Sequence, residues 1–129
     1  MKDYQPQKNN DNWIPHNKYM QTLYFIRSYY ELKEEHDAIL SESSAPSDGQ
    51  PRGTNVGDPT AQKAARAEEI YNDILIIERA KRNIPERFRQ CIWDNVMNHS
   101  GWISEYSESM LRKEKGKFIR EIAKAKKII

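Results

Sequence analysis

The chain has 129 residues, 21 basic and 19 acidic, for a formal net charge of +2. That is the size of one domain, or one domain with tails. The balance is too even for the protein as a whole to be basic, so any electrostatic footprint has to be local. Cys91 stands alone and cannot form an internal disulfide. No apolar run approaches the roughly 20 residues of a bilayer-spanning helix. The opening MKDYQPQKNNDNW has no apolar core of the kind a secretory signal needs. These features predict a soluble, cytoplasmic protein in a reducing compartment, with no membrane among its partners. A hydrophobic content of 37% predicts a thin core with polar segments around it.

Residues 1–14 are polar, rich in Asn and Gln and without period, and read as a mobile tail. Trp13 and Ile14 are its first residues able to pack. Pro15 stands where a helix can begin. From there to residue 40 the sequence carries two apolar stripes, Tyr19, Leu23, Ile26 and Tyr30 on one and Phe25, Tyr29, Leu32, His36 and Ile39 on the other. Steps of three and four make this one helix, with an arc wide enough in its first half to touch more than one neighbour. Residues 41–58, SESSAPSDGQPRGTNVGD, have no hydrophobic period and read as a Ser/Pro/Gly linker, long for a compact domain.

Asp58-Pro59-Thr60 then supplies an N-cap and a proline at the first helical position, where its missing N–H does no harm. The helix over 59–83 places Ala64, Ala67, Ile70, Ile74 and Ile77 on one stripe, small residues early and isoleucines late. That pattern suits close approach to the first helix in an antiparallel hairpin. A shorter helix over 85–99 carries Phe88, Ile92 and Val96 at steps of four, joined by Cys91 and Trp93, and His99-Ser100-Gly101 breaks it. Trp93 and Trp102 bracket the junction that follows and are expected to pack it. With no strand pattern and no repeat, the expected fold is all-α: a long antiparallel helical hairpin, then two shorter helices in a divergent helix-turn-helix-like arrangement.

The last helix, over 104–128 with Ser104 or Ser107 as cap, sorts its residues most sharply. At about 100° per residue, Leu111, Phe118, Ile122, Ala125 and Ile129 stack on one side. Ser109, Lys113, Gly116, Lys117, Arg120, Lys124 and Lys127 gather on the other, with Glu114 and Glu121 on a flank. Residues 104–129 hold eight Lys or Arg against four acids, so the positive charge that the whole chain lacks is concentrated here. Gly116 costs about 1 kcal/mol against Ala inside a helix. On the basic face it would let a phosphate or sugar approach the backbone. Plain solvation, helped by the negative end of the helix dipole, accounts for terminal lysines in general, but not for the one-sidedness or the glycine.

Catalytic chemistry finds little purchase. His16, His36 and His99 lie on different segments, and His36 falls on a packing stripe, where a core or boundary role is expected. Glu34, Glu35, His36 and Asp37 are consecutive, so on a helix they point about 100° apart and cannot converge on one metal ion. Cys91 sits in an apolar helical pattern and reads as a small hydrophobe. No phosphate-binding, dinucleotide or nucleophile-elbow glycine pattern is present. Arg52, between Pro51 and Gly53, reads as a turn residue. The expectation is a protein that is not an enzyme and needs neither cofactor nor metal.

Four stretches look alike to a known group. IPHNKYMQTLYFIRSY, SSAPSDGQPRG followed by DPTAQKA, IPERFRQCIWDNV and KGKFIREIAK resemble small proteins of phages and prophages of Gram-positive bacteria. These are similar to the RinA-like phage transcriptional regulators, whose C-terminal half looks like the DNA-binding region 4 of sigma factors. The resemblance runs from Ile14 onward. It implies sequence-specific binding of double-stranded DNA in a bacterial host cell, with the reading positions of the final helix at Ser109, Arg112, Lys113, Lys117 and Arg120. Those regulators carry a further short helix before the recognition helix, where this chain has only NHSGWISEYSE. The third helix would then have to cross the DNA backbone.

Two functions therefore stand at this point. One is a DNA-binding transcriptional regulator using Ser109, Arg112, Lys113, Gly116, Lys117, Arg120, Lys124 and Lys127, with RNA polymerase and a second copy as further partners. The other is a non-catalytic helical adaptor acting through the aromatic-rich hairpin, where Tyr24, Phe25, Tyr29 and Tyr30 exceed what one thin core needs.

Overall fold

The structure is a computed structural model that describes residues 12–43, 59–98 and 107–129. Every regular element among them is helical, so the fold is all-α. In chain order the helices are α1 (His16–Arg27), α2 (Tyr29–Ser43), α3 (Pro59–Asn83), α4 (Glu86–Asn98) and α5 (Glu108–Ala125). Most of the expected linker over 41–58, together with Arg52, His99 and Trp102, lies outside the described residues.

The first long helix is two. Ser28 interrupts it, its hydroxyl donating to the Phe25 carbonyl at 2.6 Å while its N–H is shared between Tyr24 and Phe25. A serine bonding back into the preceding turn is a common cause of a helix bend. Tyr29 is buried, whereas Tyr30, expected on the first stripe, is 56% exposed. Ile14, among the first residues expected to pack, is buried in the core.

The expected antiparallel hairpin is formed by α2 and α3, which pack together more extensively than any other pair. Its direction follows from the pairs across it. Tyr29 interacts with Glu78, His36 stacks on Tyr71 with ring centroids 5.8 Å apart, and Arg66 bridges Glu35 at 3.2 Å. Ile70, Ile74 and Ile77 are buried as their spacing predicts. Ala67 is only half-buried and Ala64 is exposed, because the start of α3 extends past the packed body.

The core lies where α1, the second half of α3, α4 and α5 converge. Leu23, Ile26, Ile77, Ile92, Val96, Leu111 and Ile122 are all fully buried there. Trp93 of α4 ties the elements together. Its indole meets the Tyr29 ring edge-on at 5.3 Å and the Phe118 ring at 6.4 Å, and donates its N–H to the Tyr30 hydroxyl at 3.2 Å. The Lys81 ammonium of α3 lies 4.1 Å from the indole centroid, a cation–π contact. Burial, with Glu78 nearby, raises the Tyr29 phenol above its usual pKa, against the opposing effect of Lys33.

Arginines satisfy the carbonyls that helix ends leave open. Arg89 donates to the Lys81, Arg82 and Ile84 carbonyls at the end of α3, and Arg27 donates to Val96 near the end of α4.

Replacing Trp93 with Ala removes the shared contact of α2, α3, α4 and α5. Chemical denaturation is expected to show a loss of about 3–5 kcal/mol, the range for a buried Trp truncated to Ala. A loss below about 1 kcal/mol would contradict this placement.

Candidate nucleic-acid interface

The basic helix begins at Glu108, after Ser107, one of the two serines expected to precede it. Ser107 is the N-cap residue but makes no side-chain cap bond, its hydroxyl lying 2.9 Å from that of Ser109 instead. Glu108 in the first turn and Lys124 in the last both suit the helix dipole. The end is a Schellman closure, with Ile128 N–H bonded to the Ala123 carbonyl and Lys127 N–H to Lys124. Lys127 takes the left-handed position of that motif, φ 61°, where glycine is usual. Ile128 packs against the core, and its carbonyl accepts from the Lys18 ammonium at 2.9 Å.

The buried side of α5 comprises Leu111, Lys115, Gly116, Phe118, Ile119, Ile122 and Ala123. Leu111, Phe118 and Ile122 were expected inside. Ala125 and Ile129 are exposed instead, while Ile119 and Ala123 are buried. The inward arc is thus turned by roughly 60° from the sequence stripe. The reason is that α5 packs against α1, α3 and α4 together, so one narrow seam does not suffice.

That rotation removes Gly116 from the proposed contact surface. It is buried, so no phosphate reaches its backbone. The glycine serves close packing, and the expectation that it faces a ligand is corrected.

Four of the remaining positions stay together, while Arg112 stands one turn before the buried Gly116, on the side that Ile119 and Ala123 turn inward. Lys113, Lys117 and Lys124 lie on the outward face, and Arg120 is half-buried at its edge. Ser109 and Arg112 are exposed near the start of the helix and Lys127 just past its end. Lys113, Lys124 and Lys127 make no ion pair with any described residue. Arg112 pairs with Glu108 at 2.9 Å and Lys117 with Glu114 at 3.6 Å, one turn away. Exposed pairs of this kind contribute about 0–1 kcal/mol, small enough to be exchanged for a phosphate. Arg120 reaches the Trp13 carbonyl with one long bond of 3.4 Å. By contrast, Lys126 is committed to the fold, bonding Asp73 at 2.6 Å with its ammonium 5.1 Å from the Phe25 ring centroid.

Beside this row runs a groove of about 440 Å³ between α5 and the end of α3, lined among others by Asn83, Glu114, Lys117, Arg120, Glu121 and Lys124. Asn83 donates to the Glu121 carboxylate at 2.5 Å. Asn83 is the last residue of α3, and nothing local in the sequence shows that the chain folds it back beside Glu121. The groove therefore offers donors and acceptors together, next to a row of cations.

Elsewhere, no group of three or more His, Cys, Asp or Glu among the described residues is placed to hold a metal ion. Cys91 is half-buried against the core. No described helix is long and apolar enough to cross a membrane. No protein-family model, curated protein or solved structure matches this chain.

Gly116→Ala separates the two roles of this glycine. On an exposed face Ala would stabilise the helix by about 1 kcal/mol. In a closely packed site an added methyl group costs about 1–3 kcal/mol, so a net loss is expected on denaturation. A gain in stability would return Gly116 to the surface.

Proposed function

We propose that the protein is a small phage or prophage transcriptional regulator that binds double-stranded DNA through the outward face of α5. One observation carries the proposal: Lys113, Lys117 and Lys124 share an exposed face, and the two without carboxylate partners flank the one loosely paired. A DNA backbone, with one negative charge per about 1.7 Å of helix axis, suits such a row. In this reading Lys113, Lys117, Lys124 and Lys127 neutralise phosphates. Arg120 meets base edges, where a planar guanidinium matches guanine in bidentate fashion, and Arg112 and Ser109 reach in from the exposed start of the helix. Glu121 and Asn83 supply acceptor and amide functions beside them.

α4 ends at Asn98 and α5 begins at Glu108, farther apart in sequence than the turn of about three or four residues that joins a helix-turn-helix. The reading therefore rests on the face of α5 and not on motif geometry. RNA polymerase and a second copy of the chain are the further partners it carries, since paired readers address two half-sites.

A second reading, a helical adaptor, is favoured by one specific feature. Tyr24, Tyr30, Leu40 and Tyr71 are all about half exposed or more on α1, α2 and α3, more apolar surface than the core requires. That reading predicts a protein complex indifferent to duplex DNA.

A mobility-shift titration against duplex from the region flanking the coding sequence decides between them. With about four phosphates neutralised, affinity is expected to fall about a hundredfold between roughly 50 and 200 mM salt. Lys113→Glu combined with Lys117→Glu is expected to abolish the shift while helicity is unchanged. Binding by that variant as tight as by the parent would overturn the proposal.

A further inference from the structure

The outward faces of α2 and α5 carry opposite charge. On α2, Leu32, His36 and Ile39 turn toward the body, leaving Tyr30, Glu34, Asp37 and Ser41 along the opposite side, with Glu31 on one flank and Lys33, its ammonium 5.4 Å from the Tyr29 ring centroid, on the other. Glu31, Glu34 and Asp37 make no ion pair with any described residue, unlike Glu35, which Arg66 engages. On α5 the outward side carries Met110, Lys113, Lys117 and Lys124, with Arg120 at its edge.

These faces correspond in more than sign. The α2 row runs in steps of four, three and four, as do Lys113, Lys117, Arg120 and Lys124. Each row spans about 16 Å of helix, from eleven residues at about 1.5 Å rise. Each also has a large apolar side chain left in water at its N-terminal end, Tyr30 within the α2 row at 56% exposure and Met110, one turn before Lys113, at 43%. Neither has a structural need for that exposure. Tyr30 accepts the Trp93 N–H through its hydroxyl, which anchors the ring's polar tip and leaves much of the ring uncovered. Within one molecule the main packing partner of α2 is α3, and the helices packed on α5 are α1, α3 and α4. The two rows are therefore open to another molecule.

We infer that the outward face of α2 docks on the outward face of α5 in a second copy of this chain. Carboxylates of one row meet ammonium groups of the other, and Tyr30 and Met110 lose exposed apolar surface. A two-fold arrangement makes the contact twice, with each copy giving one face and receiving the other. Because the pairs are solvent-exposed, the association is weak and salt-sensitive. The inference does not rest on DNA binding. Where that reading also holds, this contact covers Lys113, Lys117 and Lys124, so it competes with duplex binding and is distinct from a pairing of readers on two half-sites.

Sedimentation equilibrium with charge-swapped variants tests it. The parent is expected to associate at about 25 mM salt, with at least a tenfold weaker constant at about 250 mM. Lys117→Glu with Lys124→Glu, and separately Glu34→Lys with Asp37→Lys, should each be monomeric at low salt with unchanged helicity. Mixed in equal amounts, the two variants should associate again, because each intact row finds its complement and each reversed row finds the other. A parent that stays monomeric at low salt overturns the inference, as does a mixture that fails to associate. Failure of the duplex titration with success here would remove the DNA reading and leave the dimer standing.

Discussion

The indole of Trp93 is the point on which the arrangement of helices depends. It is a residue of α4, yet its ring edges, face and N–H are each used by another element: Tyr29 and Tyr30 at the start of α2, Lys81 near the end of α3 and Phe118 in the middle of α5. A thin core of branched aliphatic side chains has few ways to fix the rotation of one helix relative to another. Edge-on aromatic contacts are directional, each worth roughly 0.5–1.5 kcal/mol beyond the area they bury. Several of them on one ring favour a single mutual orientation. Phe118 is held inside α5 by that contact, and the exposed row Lys113, Lys117 and Lys124 follows from it by helical geometry.

The electrostatics of α5 are decided by which cations the fold consumes. Lys115 is buried and Lys126 is bonded to Asp73. Lys81, on α3, is spent on the indole, and Arg89 on three carbonyls. A chain with nearly equal numbers of acids and bases thus shows a one-signed row, because some of its cations are used internally while those of α5's outer face are not. The carboxylates Glu114 and Glu121 border that row and do not interrupt it. Their presence gives the groove beside Asn83 a mixed donor and acceptor character, which a surface for phosphates alone would not need.

Much of this was legible in the sequence, for reasons that differ from element to element. Pro59 marks the start of α3 because its ring fits only a first turn, and the spacing of Phe88, Ile92 and Val96 yields the inner face of α4 directly. The interruption at Ser28 was not legible, since a serine inside a helix either bonds back or points to solvent without any change in periodicity. Beyond it Tyr29 is buried as its stripe predicts, while Tyr30 no longer continues the stripe of Tyr19, Leu23 and Ile26. The inner face of α5 was only partly legible. Leu111, Phe118 and Ile122 fix one edge of it, but a helix packed against three others buries a broader arc than its most apolar stripe. Gly116, Ile119 and Ala123 are therefore inside, and the glycine that looked like an invitation to a ligand is a packing residue. The meeting of Asn83 with Glu121 depends on tertiary contact alone, and no local pattern encodes it.

The central claim is that the outward face of α5, fixed in rotation by Phe118 against Trp93, is the surface a polyanion meets. Heteronuclear NMR of the labelled chain, titrated with a short duplex at low salt, tests it most directly. The account predicts that amide resonances of Lys113, Lys117, Arg120 and Lys124 move together. Those of Ile119 and the Trp93 indole should hold their positions. Perturbations gathered on α2 and α3 instead, or none at duplex concentrations well above that of the protein, would contradict it.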